Sequence, residues 1–325
     1  MRCIVLVMAC LISLSATAAA GWSSAPEALE QLRNTADVRW KRSFDKGTLV
    51  PRTTSVDLVA LALDGIASGY DADHITQALE ALRGMQDANP LSKTYGNIHW
   101  YSGDKQITDR NGVEFVVRQA GLLWLLYADQ LSPAQRAPLQ QMLELAKTGI
   151  TRHGVAVSYT NIHLMKTWNL VALGDGLHDA DLSAQAQAML RDWLAYTARF
   201  GITEYLSPTY YAISLESLAL IANLAHDPVT RQLARDGLDV VWGDMALNWY
   251  APAERLGGTH SRDYDRLFNV GGINELAASA GWVPGKQART TGNADGPYAH
   301  FAYSPPSAAA SRWLAGPLPR FISSA

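Results

Sequence analysis

From Ser55 onward, apolar residues recur at three- and four-residue spacing, the period of an amphipathic α-helix. The pattern predicts helices over Ser55–Ser68, Asp73–Met85, Val113–Gln130, Ser132–Gly149, Ile162–Leu173, Ser183–Phe200, Tyr211–His226, Pro228–Asn248 and Val270–Ala280. Ser132-Pro133 and Asp227-Pro228 are start signals, each a capping side chain followed by proline at the first helical position. Alternation of the strand type is confined to a weak stretch at Gly154–Tyr159. Helices joined by alternately short and long connections predict an all-α fold. The expected form is an (α/α) toroid, or an incomplete toroid, of antiparallel helix pairs with long loops forming a cleft at one end. No repeat of about 34 or 40 residues recurs, which disfavours an open superhelical array.

The two ends of the chain read differently. Met1–Ala20 combines one arginine, an apolar run from Ile4 to Leu14 and a small-residue exit, the pattern of a secretory signal peptide too short to span a membrane. The expected organisation is a signal peptide at 1–20, a catalytic toroid domain at 21–282 and an irregular C-terminal arm at 283–325, rich in Pro, Gly, Ala and Ser. The expected location is secreted or periplasmic. Cys3 and Cys10 both fall in the leader, so the mature chain is expected to carry no disulfide and no thiolate chemistry.

Composition narrows the partners. Hydrophobic residues make up 48% and charged residues 18%, as in a folded globular protein. The net charge of −3 is small and the basic residues are scattered, which argues against nucleic acid as a partner. No later stretch reaches the ~18 uninterrupted apolar residues of a membrane helix. A monomer is expected.

The chemistry collects in four connections: Tyr95–Gly112, Tyr159–Leu164, Gly201–Tyr211 and Gly257–Asp265. They hold Asn97, His99, Trp100, Tyr101, Asp109, Asn161, His163, Glu204, Tyr205, Tyr210, Tyr211, His260, Arg262, Asp263 and Tyr264. Trp and Tyr offer flat apolar faces with a polar tip, and Asn, His, Asp and Arg offer directional hydrogen bonds. A sugar ring, with C–H faces and a hydroxyl rim, needs that mixture. Ten Trp and thirteen Tyr against six Phe point the same way.

Two reactions suit the set. In β-elimination of a uronate polymer, the sugar carboxylate is neutralised, a base removes the adjacent proton and an acid protonates the leaving oxygen. Asn161 and Arg262 suit the first task, His163, Tyr205 or His260 the second, and Tyr210 the third. No metal or other cofactor is called for. The alternative is glycoside hydrolysis by Glu204 with Asp109 or Asp263, which needs two carboxylates about 5–10 Å apart. A third reading is a glycan-binding envelope protein that breaks no bond. Asn97, His99, Trp100, Tyr101, Asp109, Glu204, Tyr211, Asp263 and Tyr264 are substrate-binding candidates in the elimination reading.

The helical relay, the leader and the histidine, tyrosine, asparagine and arginine of the loops resemble the (α/α) toroid polysaccharide lyases, which include chondroitin, hyaluronate, alginate and heparinase-like enzymes, and the segments "NIHWYSGD", "NIHL", "TEYLSPTYY" and "THSRDYD" look like those of uncharacterised secreted toroid proteins related to them. The resemblance covers Ser55–Trp282 by organisation. It implies metal-independent elimination by an asparagine, histidine, tyrosine and arginine set, carried here by Asn161, His163, Tyr205, Tyr210 and Arg262, with His260 as a second base. Such lyases commonly continue into a β-sandwich, whereas this sequence stops at Ala325. Asp71, Asp73 and His74, and likewise His178, Asp179 and Asp181, read as polar helix starts rather than metal ligands. The phosphate loop and the Gly-x-Ser-x-Gly elbow are absent.

Overall fold

The computed structural model describes residues 26–262, 264, 272–283, 300, 306–312 and 314. Met1–Ala20, where a leader is expected, and Asp263 lie outside the described residues. The described chain is mostly helical: α1 Pro26–Ser43, α2 Ser55–Ser68, α3 Ala72–Gly84, α4 Gly112–Tyr127, α5 Pro133–Arg152, α6 Thr160–Gly176, α7 Ala180–Phe200, α8 Tyr210–Leu224, α9 Pro228–Asn248, α10 Gly272–Ser279 and the short α11 Ala308–Ser311. None of the described helices is long and apolar enough to cross a membrane.

Local chemistry sets the helix ends. Thr54 is extended and its hydroxyl accepts the Asp57 N–H at 3.0 Å, while Gly69, at a left-handed φ of 63°, closes the other end of α2. Asp71 accepts the Asp73 and His74 N–H groups, Asp179 that of Leu182 and Asp227 that of Thr230. Ser132 and Gln135 form a reciprocal box around the start of α5. α1 goes unseen in the periodicity because it buries only Leu32, Ala36 and Ser43, too thin an apolar stripe to register. Gly154–Tyr159 is a turn and not a strand, with the Tyr159 N–H donating to Ala156 O at 3.0 Å. Its alternation finds no partner; the described strands are two-residue hairpins, Phe44–Asp45 with Thr48–Leu49 and Trp249–Tyr250 with Arg255–Leu256.

The helices fall into two layers. α2, α4, α6 and α8 touch one another in succession and α10 follows on α8, while α1, α3, α5, α7 and α9 pack outside them. Burial matches: every residue of α6 from Thr160 to Gly174 is buried, whereas α7 buries only Leu182, Ala186, Leu190, Trp193 and Thr197. Trp168, Trp193 and Trp242 are among the largest fully buried side chains. The inner layer curves. Arg118 of α4 and Glu216 of α8, which flank α6 on its two sides, meet at 3.0 Å with both side chains buried.

Four inner helices present their N-terminal ends to one end of the molecule. The Ser55 N–H at the start of α2 donates to Trp100 O, and the Val113 N–H in α4 to Asn97 Oδ1. Asn111, which precedes α4, reaches the Tyr159 hydroxyl before α6 at 3.5 Å, and Asn161 in α6 reaches Glu204 before α8. Close backbone approach seats the Tyr95–Gly112 connection. Gly96 sits at φ 84°, where a Cβ would lie 2.5 Å from Leu145 O, and a Cβ on Gly149 would overlap the Gly96 carbonyl.

Candidate functional site: a tyrosine cluster around Arg262

Two connections build the site. In the first, Ser207 Oγ accepts the Tyr210 N–H at 3.1 Å, capping α8 and projecting Tyr210 from its first turn. In the second, the hairpin Trp249–Leu256 turns the chain back, and Arg262 and Tyr264 adopt left-handed φ values of 52° and 50°. Residues with a Cβ occupy that region at a cost, one that recurs at binding and catalytic sites. The connections are tied together: the Ser261 N–H donates to Tyr205 O at 3.1 Å and the Ser207 hydroxyl to Arg262 O at 3.4 Å.

Arg262 is the hub. Its Nη1 donates to Glu204 Oε1 at 3.1 Å, its Nε and Nη2 to the Tyr264 hydroxyl at 3.1 and 2.7 Å, and its Nη2 to the Tyr210 hydroxyl at 3.5 Å. The guanidinium also lies 5.1 Å from the Tyr159 ring centroid and 4.8 Å from that of Tyr210, within cation–π range. Glu204 is buried and anchored from below. The Asn161 N–H donates to its Oε2 at 2.7 Å, and Asn161 Nδ2 reaches both oxygens at 2.8 and 2.7 Å. The Arg262 side chain is 36% exposed and Tyr264 is 55% exposed, so the upper face of the cluster is open to solvent.

The environment pushes the two phenols apart. Burial, and then the bond to Tyr264, raise the Tyr210 pKa above its ordinary value. Tyr264 is held below its ordinary value by the bonds from Tyr210 and from Arg262, whose donors favour the phenolate. Their hydroxyls are 3.2 Å apart. Arg262 loses some of its preference for the charged form to burial, but its bonds to Tyr264 and Tyr159 outweigh this and hold it firmly protonated. The arrangement is a pair of hydrogen-bonded phenols that share one cation and whose proton affinities are driven apart.

The structure brings Asn161, Glu204, Tyr210, Arg262 and Tyr264 together and sends other expected residues elsewhere. Asn161 has no exposed surface and its amide is committed to Glu204, so it positions Glu204 rather than meeting a ligand. His163 is buried between α6 and α7 with Nε2 on Met189 O at 3.0 Å; burial lowers its pKa and keeps it neutral, away from the open face. Tyr211 donates to Asp244 at 2.6 Å inside the α8–α9 interface, and burial raises its pKa well above the ordinary value. His260 turns back on its own hairpin, with Nε2 3.3 Å from Leu256 O. Tyr205 shares the connection but lies at 49% exposure, outside the hydrogen-bonded cluster.

The Tyr95–Gly112 residues divide similarly. Asn97 is buried and structural: its Oδ1 accepts the Ile98 and Val113 N–H groups and its Nδ2 donates to Arg110 O. The repeated Asn-Ile-His segment thus marks two asparagines that fasten inner-helix starts. His99 is half-buried, and its Nδ1 has no hydrogen-bond partner among the described residues. Trp100, Tyr101 and Asp109 lie at the same end of the molecule as Arg262. The Trp100 indole N–H donates to Asp109 Oδ2 at 3.0 Å, and Tyr101 stacks under Arg52.

Two groups escape sequence reasoning. Tyr159 supplies a ring beneath Arg262, and its place just before an inner helix, beside "NIHL", was the available signal. Glu114 and His153, 3.1 Å apart, are 39 positions distant in sequence and share no motif. They join Lys166, which donates to His153 O at 2.7 Å, and Asn169 in a buried polar cluster between α4 and α6. Among the described residues, no group of three or more His, Cys, Asp or Glu is disposed to hold a metal ion.

The fold and site together define a mostly helical protein with an exposed arginine–tyrosine cluster where inner-helix N-termini meet. The chain belongs to the family described as Domain of unknown function (DUF8769), whose model matches residues 67–270 and so includes both the Arg262 cluster and the Trp100 loop. No curated protein and no solved structure matches it.

Proposed function

We propose that this chain is an exported enzyme of (α/α) toroid form that cleaves an acidic, uronate-containing glycan by β-elimination at the Arg262 cluster. The observation that carries the reading is the pair Tyr210 and Tyr264, hydrogen-bonded to each other and to one arginine, with pKa values driven in opposite directions. The toroid reading is supported by the succession α2, α4, α6, α8, α10 and by the Arg118–Glu216 contact across the curve of that layer. Export rests on the Met1–Ala20 pattern.

In the reaction, Arg262 and the positive N-terminal ends of α6 and α8 face the uronate carboxylate and stabilise the charge that develops on it. The Tyr264 phenolate removes the proton α to the carboxylate and becomes a phenol. The carbon–oxygen bond at the β position breaks, the electron pair of the cleaved C–H bond forms the carbon–carbon double bond, and the departing oxygen takes the Tyr210 proton. Tyr264 is then neutral and Tyr210 ionised, and transfer of one proton across their 3.2 Å hydrogen bond restores the starting state. Hydrolysis by Glu204 is disfavoured, because both its oxygens are buried and engaged by Asn161 and Arg262.

The test is to screen the purified chain against polygalacturonate, alginate, hyaluronan and chondroitin while following the ultraviolet absorbance of an unsaturated uronate. Turnover that falls by about 10²–10⁴ in Tyr264→Phe and Tyr210→Phe supports the assignment. New reducing ends without that absorbance, binding without cleavage, or full activity in both variants would overturn it.

A further inference from the structure

We infer that the hollow beside Trp100 is a second carbohydrate subsite, one that takes an uncharged sugar unit. The inference rests on the glycan reading of the Arg262 cluster and adds a substrate requirement: a chain long enough to span both places and carrying a neutral unit next to the acidic one.

The hollow is a built feature. It is an open, shallow hollow of about 540 Å³, and its walls include Arg52, Trp100, Tyr101, Asp104, Lys105 and Asp109. The loop that forms it is fastened along its length. The Ser55 N–H donates to Trp100 O at 2.9 Å, the Ser102 N–H to Thr53 O at 2.8 Å, the Thr53 N–H to Ser102 Oγ at 3.0 Å and the His99 N–H to Met85 O at 3.0 Å. Trp100 packs at 5.0 Å against Phe115 and is oriented by the bond to Asp109. Arg52 occupies a left-handed φ of 67°, and from there its guanidinium lies 3.8 Å from the Tyr101 ring centroid and donates to Asp104 at 2.9 Å. A strained residue held by two partners at the edge of a hollow is the kind of feature that binding sites retain.

Charge selects the ligand. The two cations of the wall, Arg52 and Lys105, are matched by two carboxylates, Asp104 and Asp109, and Arg52 is already paired. A uronate here would face both carboxylates, whereas a neutral pyranose finds an indole for its C–H surface and both donors and acceptors for its hydroxyls. The Arg262 cluster has the opposite character. A relay of side chains links the two places: Asp109 accepts the Asn111 N–H at 2.9 Å, Asn111 reaches the Tyr159 hydroxyl at 3.5 Å, and the Tyr159 ring lies beneath Arg262.

Binding of neutral tetrasaccharides (cellotetraose, maltotetraose and chitotetraose) and of a galacturonate tetramer is measured by calorimetry on the full chain, its Trp100→Ala and Asp109→Asn variants, and Arg262→Met. The expected result is binding of at least one neutral tetramer, weakened about tenfold or more in Trp100→Ala and weakened in Asp109→Asn, with binding of the galacturonate tetramer weakened in Arg262→Met. Asp109→Asn keeps the side-chain shape and carries the test if Trp100→Ala does not fold. Absence of neutral binding, indifference of neutral binding to both loop variants, or galacturonate binding in Arg262→Met tighter than that of every neutral tetramer would overturn the inference. Neutral binding that persists while no polymer is cut would instead remove the elimination reading and leave the subsite standing.

Discussion

Glu204 is where the site and the fold meet, and its replacement gives a calculable result. Glu204→Gln preserves shape but exchanges one acceptor oxygen for an NH₂ group. In the native site the two oxygens receive the Asn161 N–H, both reaches of Asn161 Nδ2 and Arg262 Nη1. Whichever way the amide turns, one donor then faces another donor. Asn161 has no exposed surface, so a donor stranded there costs about 1–3 kcal/mol. The lost pairing with the 36% exposed Arg262 adds only about 0–1 kcal/mol, because water screens that partner. The expected loss is therefore about 1–4 kcal/mol, read from urea unfolding at neutral pH. A double-mutant cycle with Asn161→Ala supplies the control: the two changes remove one interaction between them, so the double variant should fall short of the sum by about 0.5–3 kcal/mol. Additive losses, or a Glu204→Gln chain as stable as the parent, would refute the claim that Asn161 and Glu204 form the floor of the site.

Other expectations follow from the same structure. Arg262→Met removes donors that hold the Tyr264 phenol low, so its pKa should rise back toward 10.0, seen in ultraviolet difference titration against Tyr264→Phe. Asp227→Ala should cost about 0.5–2 kcal/mol at neutral pH, because it removes the N-cap of α9. Its bonds from the Thr230 hydroxyl and N–H hold the Asp227 pKa below 3.8 in the fold, so this contribution is present above pH 3.8 and disappears as pH falls through the lowered value; unfolding curves of the two proteins should converge in acid. Gly149→Ala should destabilise by about 1–3 kcal/mol, since the new methyl meets the Gly96 backbone and not a side chain that can move aside. Arg118→Ala should cost about 3–5 kcal/mol by stranding buried Glu216, and the loss should shrink in acid because burial already raises the Glu216 pKa.

The legible part of the fold was its periodic part. Ser55–Ser68 and Pro228–Asn248 read to the residue because Thr54, Gly69 and Asp227 mark their ends with side-chain or backbone chemistry local to the sequence. α1 was illegible because its stability comes from contacts with α2, such as Arg39 on Asp64, and not from an apolar stripe of its own. The site followed the same rule. Tyr210, Arg262 and Tyr264 stood out as candidates in two loops dense in polar aromatic residues, but which of them touch could not be read there. The periodicity of α6 placed Asn161 and His163 two residues apart without saying that one turns to Glu204 and the other to Met189. Glu204 stood in the sequence as a substrate-binding or hydrolytic carboxylate and proves to be buried and bonded to Asn161 and Arg262, a difference made by tertiary packing.

Elimination at the Arg262 cluster is the reaction proposed. Cleavage of the responsive polymer in heavy-oxygen water, followed by mass spectrometry of the products, tests it most directly. Elimination predicts unsaturated fragments lighter by one water than hydrolysis products, formed about 10²–10⁴ times more slowly by Tyr264→Phe; saturated fragments that each carry one heavy oxygen would contradict it.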